Sequence, residues 1–246
     1  PVLAQPIASE IIARLLLLHR VSDLGAMPSI APIGRGERRR FLSLVLRGET
    51  PAANALLDEL VARGIEEREL LLDLISDTAA RLGELWEEDE ADFGEVTMAA
   101  CVLHRLLRDR SASAEKRRGA TDSGAAVLVA TLTGEQHTLG ATIVSELFRQ
   151  AGWKVNNLAG GETKAVCECL SAHHFNVLAL SSAGISDEAA AADQVRRFRE
   201  ASCSPDLKIL AGGYAFDADP NLFKRIGADL MSDNIDDVLT WQAGCT

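Results

Sequence analysis

Ala125-Ala126-Val127-Leu128-Val129-Ala130-Thr131-Leu132, followed by Thr133-Gly134-Glu135-Gln136-His137-Thr138-Leu139-Gly140, is the stretch on which the reading of this chain turns. The first part is an apolar run with the pattern of a parallel strand buried on both faces. After Gly140, Ala141-Thr-Ile-Val-Ser-Glu-Leu-Phe-Arg149 carries apolar residues at helical spacing. His137 therefore falls on a strand-to-helix loop at the carboxyl end of a strand, where open α/β sheets bind ligands. An imidazole there is a good metal ligand. Glu135, two positions back, can accept the other ring N–H and fix the tautomer. On the local residues alone, a solvated loop histidine with no ligand accounts for the stretch at least as well.

Toward the C-terminus the chain alternates between apolar runs and helical patterns. The further strand candidates are Lys154–Leu158, Asn176–Leu180, Lys208–Ala211 and Asp229–Met231, with helices between them and after the last. Such alternation implies a parallel sheet with helices on both faces and right-handed crossovers. Two more strand-to-helix loops carry small or polar residues: Ser181-Ser182-Ala183-Gly184 after the third strand, and Gly212-Gly213-Tyr214 after the fourth. Hydroxyls in the first of these can donate to a buried ring nitrogen of a ligand. Paired glycines in the second allow a ligand to lie against bare backbone. Gly-Gly after a strand is usually just a turn, but all three loops belong to the same edge of one sheet.

Toward the N-terminus the pattern is helical. Phe41–Leu46 ends at Arg47-Gly48, and Thr50-Pro51 reads as an N-cap followed by Pro at the first helical position. That helix stops near Gly64, a third runs from Glu66 to about Trp86, and a fourth from Phe93 to Arg108. Between the last two lies the acidic turn Glu87-Glu-Asp-Glu-Ala-Asp92. Four helices with short connections, each with one apolar face, predict a small bundle. Arg110–Gly124 is polar and rich in small residues and reads as a linker. The expected organisation is an N-terminal extension over 1–34, a helical bundle over 35–109, a linker over 110–124 and an α/β domain over 125–246.

Composition narrows the function. With 246 residues, 47% of them hydrophobic, the chain can bury sizeable cores. A formal net charge of −11 argues against a large autonomous nucleic-acid-binding surface. The dense basic clusters, Arg35–Arg40 and Lys116–Arg118, lie in no helix-turn-helix, and the first reads as a solvated helix start. The cysteines Cys101, Cys167, Cys169, Cys203 and Cys245 form no C-x-x-C pair and are expected to be reduced and mostly buried, in a cytoplasmic setting. The apolar run Ile11–Leu18 is interrupted by Arg14 and is too short to span a bilayer, so no membrane association is expected.

The residues from Ala125 onward resemble the cobalamin-binding domain, a flavodoxin-like (Rossmann-like) fold with a five-stranded parallel sheet found in methionine synthase, carbon-skeleton mutases and corrinoid carriers. The family pattern is D-x-H-x-x-G after the first strand, a Ser-containing loop after the third and Gly-Gly after the fourth. The resemblance implies that His137 ligates cobalt from below and displaces the dimethylbenzimidazole, with Glu135 in the place of the family's Asp. The nucleotide tail would then thread a groove lined by the loops of Glu135, Gln136, His137, Thr138, Leu139 and Gly140, of Ser181, Ser182 and Gly184, and of Gly212, Gly213 and Tyr214. The helical half resembles the same family's cap bundle. Leu82-Gly-Glu-Leu-Trp86, followed by Gly94-Glu-Val-Thr97, matches its Gly-x-x-Trp … Gly-Glu-Val-Thr signature, and Trp86 is the position that covers the upper face of the corrin.

The chain departs from the light-sensing adenosylcobalamin repressors of this family. Their Glu-His pair on the helix after Gly-Glu-Val-Thr corresponds here to Cys101 and Val102, and a preceding winged-helix domain is not expected. A free-standing cap plus cobalamin domain with a short extension resembles the AerR/PpaA antirepressors of purple photosynthetic bacteria. That resemblance implies a non-enzymatic, light-responsive regulator that binds adenosylcobalamin or hydroxocobalamin. It implies a PpsR/CrtJ-type transcriptional repressor as partner, and no tight DNA binding by the chain alone. A protein ligand on the upper side of cobalt would come from His104 or His19, with water an equal alternative. A corrinoid methyl carrier and a haem-binding sensor of the same fold are the competing readings. A phosphoacceptor receiver domain fits poorly, because Ser181 and Ser182 stand where it needs an Asp.

Overall fold

The structure is a computed structural model describing residues 33–117 and 124–231. The expected amphipathic stretch Ile11–Val21, His19, Cys245 and the helix after the last strand lie outside the described residues. The chain divides into two compact units between Gly119 and Ala120.

In the first unit, helix α1 spans Arg35–Leu46 and α2 spans Thr50–Ala62. Helix α3 runs as Glu67–Glu69, a π-helical stretch Leu70–Ile75, and Ser76–Glu87. Helix α4 spans Phe93–Arg117. Each buries one apolar stripe: Phe41, Leu44 and Val45 from α1; Leu56, Leu57 and Leu60 from α2; Leu70, Leu74, Ile75 and Leu82 from α3; Val96, Ala99, Leu103 and Leu106 from α4. Gly48, at φ 71°, ends α1 in the left-handed conformation, and Glu49 N–H returns to the Leu44 carbonyl at 2.9 Å.

Three details differ from expectation. Ala53 N–H bonds to the Glu49 carbonyl at 2.9 Å, so Glu49 is the cap of α2, Thr50 is its first residue and Pro51 its second. Helix α4 continues to Arg117, well into the stretch expected as linker. That stretch has no Gly or Pro before Gly119, and Arg110 anchors it, paired to Asp58 at 2.9 Å and Glu67 at 2.6 Å. The thiols are not mostly buried: Cys101 and Cys203 are exposed, and Cys167 and Cys169 half-buried. The last two sit at i and i+2 on one helix, and both pack, partly buried, at the margin of the sheet core. The basic start of α1 is ion-paired within the bundle, Arg38 to Asp77 and Arg40 to Glu59, each at 3.2 Å.

The second unit alternates strand and helix: β1 Ala126–Thr131, α5 Leu139–Gln150, β2 Lys154–Leu158, α6 Thr163–Ala172, β3 Val177–Ser181, α7 Glu188–Ala201, β4 Lys208–Gly212, α8 Tyr214–Ala218, α9 Leu222–Arg225 and β5 Leu230–Met231. All strand pairs are parallel, in the order β2-β1-β3-β4-β5. Strand alternation divides the core. Leu128, Ala130, Leu178, Leu180, Ile209 and Ala211 face Val166 and Leu170 of α6 and Val195 and Phe198 of α7. Val127 and Val129 face the opposite way, and α5 packs against β1 and β2 with Ile143, Leu147 and Phe148 buried. The order reverses at β1, which has β2 on one side and β3 on the other, so a crevice opens beyond the carboxyl ends of β1 and β3.

Candidate functional site

The three loops meet because their strands end in register. Thr131, the last residue of β1, pairs with Ser181 of β3, which pairs with Gly212 of β4. Beyond Thr131 the chain turns at once: Gly134 takes φ 86°, and Glu135 N–H returns to the Leu132 carbonyl at 3.1 Å. That turn drives the Glu135 side chain back into the crevice, where only 6% of it stays exposed. Its Oε1 accepts the His137 backbone N–H at 2.8 Å and lies 2.7 Å from His137 Nδ1. Its Oε2 accepts Ala183 N–H at 2.8 Å. With Glu135 as a carboxylate, Oε1 takes the Nδ1 proton and leaves Nε2 as the nitrogen a metal would take. The imidazole is 16% exposed.

The structure brings Glu135, His137, Gly140, Ser181, Ser182 and Gly213 together. It also separates the two serines by role. Ser182 is buried and its Oγ donates to the Gly184 carbonyl at 3.1 Å, while its 3.5 Å approach to Glu135 Oε2 is weak. Ser182 thus has an acceptor within its own loop. Ser181 is half-buried, with its Oγ opposite Gly140. A Cβ on Gly140 would meet only that oxygen, at 3.7 Å, an ordinary contact, so the protein's own packing does not require glycine there. The start of α5 and the end of β3 thus face each other through bare backbone and a hydroxyl.

Gly213 has a different reason for being glycine. Its φ is 102° and a Cβ would lie 2.5 Å from the Ser182 carbonyl oxygen, so the β3 loop, not a ligand, demands it. Tyr214, 38% exposed, starts α8 beside it. Gln136 is exposed, and Thr138 and Leu139 are half-buried at the start of α5. Residues not singled out in the sequence complete the loop's support. Thr131 Oγ1 accepts Gly160 N–H at 2.9 Å, and the Gln194 side chain bonds Thr133. A lone amide on the apolar face of α7, among Ala191, Val195 and Phe198, was the available signal for the second.

In the first unit, Trp86 is half-buried at the end of α3 with its ring edge-on to Phe93, centroids 6.3 Å apart. Phe93 is 63% exposed and Met98 62%. The Gly94-Glu95 part of the motif shapes the helix start: Glu95 N–H donates to Asp92 Oδ1 at 2.8 Å and Asp92 N–H to Glu95 Oε2 at 2.9 Å. The acidic turn gathers on Arg81, which reaches Glu84 at 2.7 Å, Glu88 at 3.3 Å and Glu90 at 3.7 Å. His104 is half-buried on α4, and burial, ahead of the nearby Arg108 guanidinium, holds it below its ordinary value. Among the described residues no three His, Cys, Asp or Glu side chains converge on a common metal position, and no helix is long and apolar enough to cross a membrane.

A single histidine, tautomerically fixed at a sheet's switch point and flanked by a glycine–serine crevice, is the donor set expected where a ligand brings its own metal. Residues 125–235 match the B12 binding domain family, and residues 37–108 match a second B12 binding domain model. Together these two models match most of the chain, which carries a helical B12 binding domain followed by a Rossmann-like one. Among its relatives is an uncharacterized 20.5 kDa protein in the bchF-crtJ intergenic region of Rhodobacter capsulatus, 25% identical, covering 75% of this chain and 96% of that one. Trimethylamine corrinoid protein 1 of Methanosarcina acetivorans is 25% identical, over 76% of this chain and 87% of its own. The monomethylamine corrinoid protein of Methanosarcina barkeri shares the fold at a TM-score of 0.66 and 15% identity, over 84% of this chain and 97% of that one.

Proposed function

We propose that this chain is a cobalamin-dependent, light-responsive regulator, not an enzyme, that acts by contact with a PpsR/CrtJ-type repressor of photosynthesis genes. The observation that carries the reading is its similarity to the Rhodobacter capsulatus protein over nearly the whole of that protein, whose name places it beside crtJ. The net charge of −11 adds to it, because tight DNA binding needs several phosphate contacts from Lys and Arg. In this reading His137 Nε2 would hold the cobalt, Glu135 would hold the imidazole, and the loops of Gly140, Ser181 and Gly212 would take the nucleotide tail. When bound, cobalamin would supply light-sensitive cobalt chemistry, and the family resemblance offers Trp86, His104 and His19 as further contacts to it. The output requires that ligand states differ in affinity for two protein conformations, and a few kcal/mol suffice.

A second reading, a corrinoid methyl carrier, is favoured by equal identity to the trimethylamine corrinoid protein. One experiment separates the two: repressor pull-down and promoter-binding assays with apo, dark-loaded and illuminated protein. Repressor binding should differ between the three states, and Trp86→Ala should flatten the difference while leaving cobalamin bound. Indifference of the repressor to all three states, together with methyl transfer from a corrinoid methyltransferase, would establish the carrier instead.

A further inference from the structure

Gln194 is a polar residue in an apolar place. It sits in the middle of α7, on the face that carries Ala191, Val195 and Phe198 into the sheet core, and is itself only 8% exposed. A buried amide is tolerated when its donors and acceptor are satisfied. Here both ends are used on one residue: Gln194 Oε1 accepts Thr133 N–H at 3.0 Å, and Gln194 Nε2 donates to Thr133 Oγ1 at 2.9 Å. The same Thr133 hydroxyl lies 2.6 Å from Thr163 Oγ1, at the start of α6.

Thr133 is the first residue past the strand and its neighbouring Leu132, two positions before Glu135 and four before His137. The loop is therefore held on two sides. Glu135 ties it to the β3 loop through Ala183 N–H, and Gln194 ties its root to the helix layer on the other side of the crevice wall. With the root fixed, the left-handed turn at Gly134 has one place to deliver the carboxylate and hence the imidazole.

We propose that Gln194 is a positioning residue for His137: its two-point bond to Thr133 fixes the loop from which the cobalt ligand projects. This rests on His137 being the lower ligand. The bond is local, since Thr133 is solvent-exposed and water can replace the lost partner, so its removal should loosen the loop without unfolding the domain.

The test uses the full chain with wild type, His137→Ala, Gln194→Met, Thr133→Val and Thr133→Ser. In the apo protein, amide exchange at Thr133 should be about tenfold faster in Gln194→Met, at an unchanged melting temperature. With hydroxocobalamin, the visible spectrum should show a smaller histidine-ligated fraction and about tenfold weaker binding in Gln194→Met and Thr133→Val. Thr133→Ser, which keeps the hydroxyl, should behave as wild type, and the Gln194→Met/Thr133→Val double variant should be no worse than either single one. If Gln194→Met leaves the histidine-ligated fraction at the wild-type level, whether or not exchange at Thr133 changes, the positioning role is wrong. Should Gln194→Met fail to fold, Thr133→Val decides on the same criterion. If wild type and His137→Ala give the same spectrum, the ligand assignment itself fails and takes the proposal with it.

Discussion

Glu135 splits its two oxygens between two segments: Oε1 faces the backbone N–H and ring Nδ1 of His137, and Oε2 accepts the Ala183 N–H. From the sequence alone, Glu in the place of the family's Asp left the bond to His137 open, because side-chain length says nothing about where the chain turns. The structure uses the extra methylene: the same carboxylate holds the imidazole at 2.7 Å and spans to the neighbouring loop. This sets an order for two substitutions. Glu135→Asp should keep the acceptor for Nδ1 and lose the tie to Ala183, weakening cobalamin binding modestly. Glu135→Gln should be worse, by about ten- to a hundredfold, because its amide presents a donor either to the imidazole N–H or to Ala183 N–H. Spectral titration with hydroxocobalamin measures both, and a Glu135→Gln protein that binds as tightly as Glu135→Asp would contradict the tautomer argument.

At the scale of elements, the β1–loop–α5 unit was legible in the sequence because an unbroken apolar run and a helical period bracket a glycine-bearing loop, and the structure places all five strands where the runs predicted them, within a residue or so. The end of α4 was not legible. Polar, small residues suggest a linker, but Ser, Ala, Glu, Lys and Arg without Gly or Pro support a helix once Arg110 is anchored to α2 and α3. Nor was the reason for Gly213, since a clash with the Ser182 carbonyl is a contact between distant segments. Helix α4 also carries a testable consequence. Burial depresses the pKa of His104 from its ordinary 6.5, so the unfolded chain takes up the proton first. The stabilisation from a neutral His104 is present above that value and is lost as pH falls from it toward the lower folded-state pKa. The melting temperature of the wild type should therefore fall more steeply between about pH 7 and about pH 5.5 than that of His104→Gln. Parallel slopes for the two proteins would show that His104 is solvated.

The chain has a helical unit and a sheet unit, each with its own buried apolar residues. The motifs that define its class lie in both: Trp86 and Gly94-Glu95 in the cap, Glu135-x-His137-x-x-Gly140 in the sheet domain. What the sequence made readable at this scale was the class and the ligand it binds, since both rest on short motifs at element ends. The partner was not readable, because a docking surface has no fixed spacing along the chain, and it enters only through the neighbourhood of a relative's gene. Both cobalamin readings rest on the proposal that His137 holds the cobalt. The direct measurement is electron paramagnetic resonance of the cobalamin-loaded protein reduced to cobalt(II), prepared once with ordinary histidine and once with heavy-nitrogen-labelled histidine. The account predicts a nitrogen splitting that changes from triplet to doublet on labelling in the wild type, whereas any splitting in His137→Ala, where the dimethylbenzimidazole can take the position, ignores the label. A wild-type splitting that ignores the label, or a His137→Ala splitting that still responds to it, would mean that this imidazole does not hold the metal.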